Sequence, residues 1–283
     1  MLRTRIITAV VLLALLLPAL FAPSPWPFAA LTLMMIGAAG WEWARLNGVA
    51  KIGAISFGAL VALLCAGVFL VHGVDWHRGR PHHWFWWVIG GLWVLGGAYA
   101  LRGGPGAWPR LPRAVRLALG LIVLFAAWAA LSLAKVIGLN FLLSAMCLVW
   151  VADIGAYFAG RAFGRRKLAP AISPGKSWEG VWGGMVGVLL LALLWSMVID
   201  KQFNVDSQSL YAILNRQTWP VTVLALLFLA VMSVVGDLFE SLLKRAVGAK
   251  DSSQLLPGHG GVLDRVDALL PVLPLALAFS SLQ

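Results

Sequence analysis

The chain has 283 residues, 61% hydrophobic and only 12% charged, with a mean hydropathy of +0.88 and a formal net charge of +11. A soluble domain carries about 25% charged residues; here there are half as many, and they cluster, leaving long apolar runs uninterrupted. A disordered chain, a secreted disulfide scaffold and a water-soluble enzyme are thereby excluded, and an all-α polytopic integral membrane protein remains.

A helix crosses a bilayer with about 20 mostly apolar residues, and its backbone must satisfy its own hydrogen bonds there. Some nine segments reach that length within a few residues: 6–22, 26–43, 52–72, 84–101, 117–134, 138–160, 178–199, 219–240 and 266–282. The period-2 alternation of a membrane barrel is missing. The first segment reads as a retained helix rather than a signal peptide, since Pro23 and Pro25 follow it in place of a small-x-small cleavage site. Near the second loop, His72, His77, His82 and His83 alternate with Trp76, Trp84, Trp86 and Trp87, which fits an interfacial aromatic belt better than a metal site. Cys65 and Cys147 fall within separate apolar runs, as small buried hydrophobes rather than a disulfide or metal pair. Gly180, Gly183, Gly184 and Gly187 open the seventh span at small-xxx-small spacing, which predicts close helix packing within the chain or across a dimer.

Basic residues orient the spans. With a cytoplasmic N-terminus, only Arg78, Arg80, Lys135, Lys201 and Arg216 of the 22 lysines and arginines fall outside. Orientation therefore explains the positive charge, with no nucleic acid implied. The acids divide the chain in another way. Of eleven, only Glu42 and Asp75 precede residue 150, and Asp200 and Asp206 belong to an outer loop. The other seven, Asp153, Glu179, Asp237, Glu240, Asp251, Asp264 and Asp267, gather at the cytoplasmic ends of the last four spans. Carboxylates near hydrocarbon are costly and mark function. The chain thus reads as an apolar region of about five spans, 1–137, and a chemically equipped region, 138–283.

Two clusters carry that chemistry. The first runs from Asp153 and Tyr157 through Arg161, Arg165, Arg166 and Lys167 to Ser173, Lys176, Ser177 and Glu179. Basic groups, hydroxyls and a helix N-terminus suit an anion, although Ser173 or Ser177 capping a helix with Glu179 in its first turn would account for part of the pattern. The spacing is not that of a Walker A loop. In the second cluster, Asp237, Glu240 and Lys244 share a helical face with Ser241 and Arg245 nearby. Lys250-Asp251, the turn Pro257-Gly258-His259-Gly260-Gly261, and Asp264-Arg265-Val-Asp267 follow. Paired carboxylates suit Mg²⁺, which binds through one or two of them plus substrate phosphates, and glycines permit close backbone approach to phosphate.

The stretch from Ser241 through Lys244, Arg245, Lys250, Asp251 and His259 to Asp264, Arg265 and Asp267 resembles the signature of the phosphatidate cytidylyltransferase (CDP-diacylglycerol synthase) family. Asp153-x-Gly-Ala-Tyr157 and Ser173-Pro-x-Lys176-Ser177-x-Glu179-Gly180 are similar to its upstream motifs. The resemblance covers about 150–270. It implies a homodimeric, multi-pass enzyme of the cell inner membrane that condenses CTP with phosphatidic acid, with its active site on the cytoplasmic side. It also implies Mg²⁺ and a second cation, K⁺, held at Asp237, Asp264 and Asp267, with Asp153 a weaker candidate. Lys244, Arg245, Lys250 and His259 would neutralise the triphosphate and the departing pyrophosphate beside Asp251. Asp153, Tyr157, Ser173, Lys176, Ser177, Glu179, Gly258, Gly260, Gly261 and Arg265 would contact substrate. The competing classes lack support: the outer loops hold no charged set matching the inner one, as a transporter would need, and no Asp-Asp pair marks a polyprenyl-phosphate transferase.

Overall fold

The computed structural model describes residues 2–72 and 83–282; His77, His82 and Trp76 of the expected aromatic belt lie outside the described residues. The chain begins with α1 (Leu2–Phe21), α2 (Trp26–Leu46), α3 (Lys51–His72), α4 (His83–Gly103), α5 (Arg113–Ile137) and α6 (Leu139–Phe163). A hairpin, β1 (Lys167–Ala169) and β2 (Ser173–Ser177), precedes α7 (Trp178–Leu194), which continues through a π turn at Trp195–Ile199 into α8 (Asp200–Gln202). Then come α9 (Leu210–Leu214), α10 (Trp219–Ala246), α11 (Leu263–Val266) and α12 (Leu269–Ser280).

Seven helical stretches among the described residues are long and apolar enough to cross a membrane: Arg3–Phe21, Lys51–Val71, His83–Gly103, Arg113–Ile137, Leu139–Phe163, Trp178–Gln202 and Trp219–Ala246. The two other expected spans differ from these for separate reasons. Helix α2 has the length, 21 residues, but its C-terminal half carries Glu42 and Arg45 and buries Ala39, Trp43 and Ala44 completely. Helix α12 has only 12 residues, about 18 Å of rise, and Leu269 to Ala278 are all buried among α4, α5, α6 and α10. A helix that is apolar on every side belongs either in lipid or in a protein core; α12 occupies the core.

Small residues set the tightest packing. A side chain at Gly184 would come within 2.6 Å of the Ala152 carbonyl oxygen, and one at Gly155 within 2.8 Å of the Gly183 carbonyl oxygen. The glycine stripe on α7 is therefore consumed inside the chain, against α6. Trp43, Trp93 and Trp108 surround Phe239, with ring centroids 5.4–6.0 Å away, and so tie α2 and α4 to α10. Gly236 lets α10 approach the following segment, since a side chain there would meet the Asp267 carbonyl oxygen at 2.5 Å. That approach brings Asp237 and Asp267 to neighbouring positions.

The hairpin is a local exception to the all-α expectation. Lys167 pairs with Ser177 and Ala169 with Ser173, a turn that folds the basic loop back on itself and delivers Lys176 towards α10.

Candidate active site

Parts of α6, α7 and α10, together with β2, enclose a cavity of about 520 Å³ lined by Asp153, Tyr157, Ser173, Lys176, Ser177 and Asp237. The two clusters read from the sequence meet here: Lys176 Nζ lies 2.6 Å from Asp237 Oδ2. Asp153 faces the same space from α6. Ser177 is buried and caps α7, accepting the Gly180 N–H at 3.2 Å, so the expected helix cap and the expected cavity residue are the same hydroxyl. The Tyr157 hydroxyl accepts from Arg161 at 3.2 Å. A larger groove of about 1000 Å³ between α2 and α3 is apolar apart from Arg45 and Lys51 and contains none of the motif residues.

A second centre adjoins the cavity. Lys244 Nζ bridges Glu240 Oε2 at 2.5 Å and Asp264 Oδ1 at 2.6 Å. Asp264 also accepts from the Ser252 N–H at 2.9 Å, the Ser252 hydroxyl at 2.7 Å and the Gly261 N–H at 2.8 Å. Burial works against its charge, but these donors outweigh it and hold the Asp264 carboxyl at about 2. Asp267 accepts the Ala268 N–H at 2.8 Å, and both Asp237 and Asp153 act on it as like charges.

Several expected site residues make hydrogen bonds to backbone groups of the chain itself. Arg245 donates to the carbonyls of Ile172, at 3.3 Å, and Ala249, at 3.0 Å, so it braces the hairpin against the end of α10. Glu179 accepts from the Arg165 and Arg166 N–H groups at 3.1–3.3 Å and closes the loop ahead of β1. Arg265 Nε donates to the His259 carbonyl at 2.9 Å and tightens the glycine turn, where Gly258 and Gly260 take φ of +77° and +82°, conformations that favour glycine. His259 Nδ1 is buried with no hydrogen-bond partner among the described residues. Lys250 and Asp251 are exposed.

Glu42, Ser252 and Ser253 belong to this architecture and escaped the motif reading. The available signal was a carboxylate inside an apolar run at Glu42; nothing in the spacing told which loop it would meet.

Among the described residues no three carboxylate, histidine or cysteine side chains converge at ligand distance. The donor chemistry nonetheless fits a hard cation: Asp153, Asp237 and Asp267 are oxygen donors whose negative charges act on one another, the condition that a bound cation relieves.

The family model of the cytidylyltransferase family matches residues 3–282. The chain is 39% identical over 290 residues to the phosphatidate cytidylyltransferase of Pseudomonas aeruginosa, covering 98% of this chain and 96% of that protein. It is 34% identical over 250 residues to the phosphatidate cytidylyltransferase of Brucella suis, covering 86% and 73%. The Haemophilus influenzae phosphatidate cytidylyltransferase is 50% identical over 137 residues, 48% of this chain and 44% of that one.

Proposed function

Because the chain belongs to the cytidylyltransferase family, we propose that it transfers the cytidylyl group of CTP to phosphatidic acid, giving CDP-diacylglycerol and pyrophosphate for phospholipid synthesis. The observation that carries this reading is the cavity in which Lys176 from one motif contacts Asp237 from another.

The reaction needs no protein nucleophile. A phosphate oxygen of phosphatidic acid attacks the α-phosphorus of CTP, and the bond to the bridging oxygen of the β-phosphate breaks as pyrophosphate departs. Such transfer depends mainly on positioning and charge neutralisation. Lys176 and Lys244, each already held by carboxylates, present fixed cations to the substrate phosphates. Ser173 and Ser177 offer hydroxyls, and the cavity walls from α6 and α7 exclude water on the lipid side. Asp153, Asp237 and Asp267 would hold Mg²⁺, with K⁺ as the second cation. The bound ions would neutralise phosphate charge and polarise the P–O bonds. In this reading Asp264, whose oxygens are occupied by four donors, orders the loop beside the ion.

The reading extends to a multi-pass protein of the cell inner membrane with a cytoplasmic N-terminus and the cavity open to cytoplasmic CTP. The lysine and arginine distribution supports that orientation. It also extends to a homodimer, supported by the family resemblance. Purified protein given labelled CTP, phosphatidic acid and Mg²⁺ should move label into the organic phase on lipid extraction, and chelation should stop it. Label confined to the aqueous phase overturns the reaction. Labelling of Arg166→Cys by a membrane-impermeant reagent only after cell lysis checks the orientation, and a native mass of twice 30.4 kDa checks the dimer.

A further inference from the structure

Glu42 lies in α2, in the apolar half of the chain, and is fully buried. A buried carboxylate is costly unless its oxygens are hydrogen-bonded. Here they are met by donors from a single loop more than two hundred residues away. Glu42 accepts the Val262 N–H at 3.0 Å, the Leu263 N–H at 2.7 Å and the Ser253 hydroxyl at 2.5 Å. The Ser252 hydroxyl stands 3.3 Å from Glu42 Oε2 and 2.7 Å from Asp264 Oδ2; with one proton to give, it donates to Asp264 and leans on Glu42.

The loop so gripped is the signature loop. Asp251 precedes the two serines, the Gly258–Gly261 turn lies between the serines and the gripped amides, and Asp264 and Asp267 follow directly. Gly261 marks the same contact from the other side, because any side chain there would strike the Glu42 carboxylate and the Ser252 hydroxyl. Glu42 does not line the cavity. All three of its donors are neutral, so no ion pair with the loop explains why a carboxylate is kept here. Closing the loop at both ends does explain it.

We infer that Glu42 is a positioning residue for the transfer reaction: from the other half of the chain it clamps both ends of the 252–263 loop and thereby fixes where Asp264 and Asp267 stand. This rests on the reaction proposed above.

The test uses the full-length protein in detergent. Glu42→Gln keeps the shape but turns an NH₂ group towards one of the two backbone N–H donors. It should lower kcat by about tenfold to a hundredfold, the penalty for misplaced reacting groups, with KM for CTP within about twofold of the parent. Hydrogen exchange should quicken in the peptide carrying Val262 and Leu263 and stay unchanged in α6 and α7. Glu42→Asp, which retains two acceptor oxygens, should recover part of the lost kcat. Parental kcat in Glu42→Gln, or faster exchange spread over the whole protein, overturns the positioning role. Should Glu42→Gln fail to fold, Ser253→Ala removes one donor and leaves the carboxylate in place; faster loop exchange with reduced kcat supports the clamp, and parental values of both overturn it. If the parent protein moves no label into lipid, the assigned reaction falls, and with it the part of this inference that concerns catalysis. The exchange comparison still decides whether Glu42 holds the loop.

Discussion

The two ends of α6 use carboxylates in opposite ways. At the end near residue 139, Asp206 accepts the Leu139 N–H at 2.7 Å and the Asn140 N–H at 3.0 Å. Asp200 takes the Asn140 side chain at 2.9 Å and the Ser209 hydroxyl at 2.6 Å. Both acids are satisfied by neutral donors, and each ties a loop to a helix. At the other end, Asp153 faces the cavity and Asp237 faces Lys176, with Asp267 adding a third negative charge. Acids surrounded by neutral donors have completed their interactions within the fold. Acids clustered with one another and with lysines around a space are poised for phosphate and cation. Glu42 has neutral donors like the first kind, but the loop it holds carries Asp264 and Asp267, so its effect falls on rate.

The comparison predicts that acids of the cavity act on rate and those of the loops on stability. The largest effect should come from Asp237→Asn, which removes the charge facing Lys176: kcat for CDP-diacylglycerol formation falls by about a hundredfold to a thousandfold, while the melting temperature stays within a few degrees. A large loss of stability with normal kcat would break the comparison. Next, Gly184→Val forces α7 away from the Ala152 carbonyl and should cost about 3 kcal/mol, read as a fall in melting temperature, with activity lost through widening of the cavity wall. The smallest effect belongs to Asp206→Ala, about 1 kcal/mol for a lost helix cap, with kcat within about twofold of the parent.

Asp206 adds a pH signature. Burial opposes its charge, but the N–H groups of Asn140 and Leu139 outweigh burial and hold its carboxyl below the ordinary aspartate value of 3.8. A depressed folded value means that its stabilisation is complete above 3.8 and is lost as pH falls through the folded value. Asp206→Ala should therefore flatten the acid limb of the plot of melting temperature against pH, and an unchanged limb would remove Asp206 from its capping role.

Particular residues explain how far the chain could be read in advance. The long apolar helices were legible because hydropathy and length are local properties, and the charged motifs were legible because so few charges interrupt them. Ser177 was legible as a cap, since capping depends on a residue and the helix immediately after it. The backbone partners of Arg245 and Glu179 were not legible for the opposite reason: a charge in a motif looks the same whether it meets phosphate or a backbone group of its own chain. The hairpin at Lys167–Ser177 was hidden because three- and five-residue strands are too short to show a period.

What the amino-acid order determined alone is therefore the medium, the helical class and the set of groups available for chemistry, all of which follow from composition and short-range pattern. Only the tertiary structure decided which apolar helix is covered by protein rather than lipid, as α12 is, because hydropathy cannot tell one apolar neighbour from another. Only the tertiary structure joined Lys176 to Asp237 and Glu42 to the Gly261–Leu263 segment. Those contacts form between residues far apart in the chain, where the close packing of glycine-lined helices, and no local preference, sets the distance.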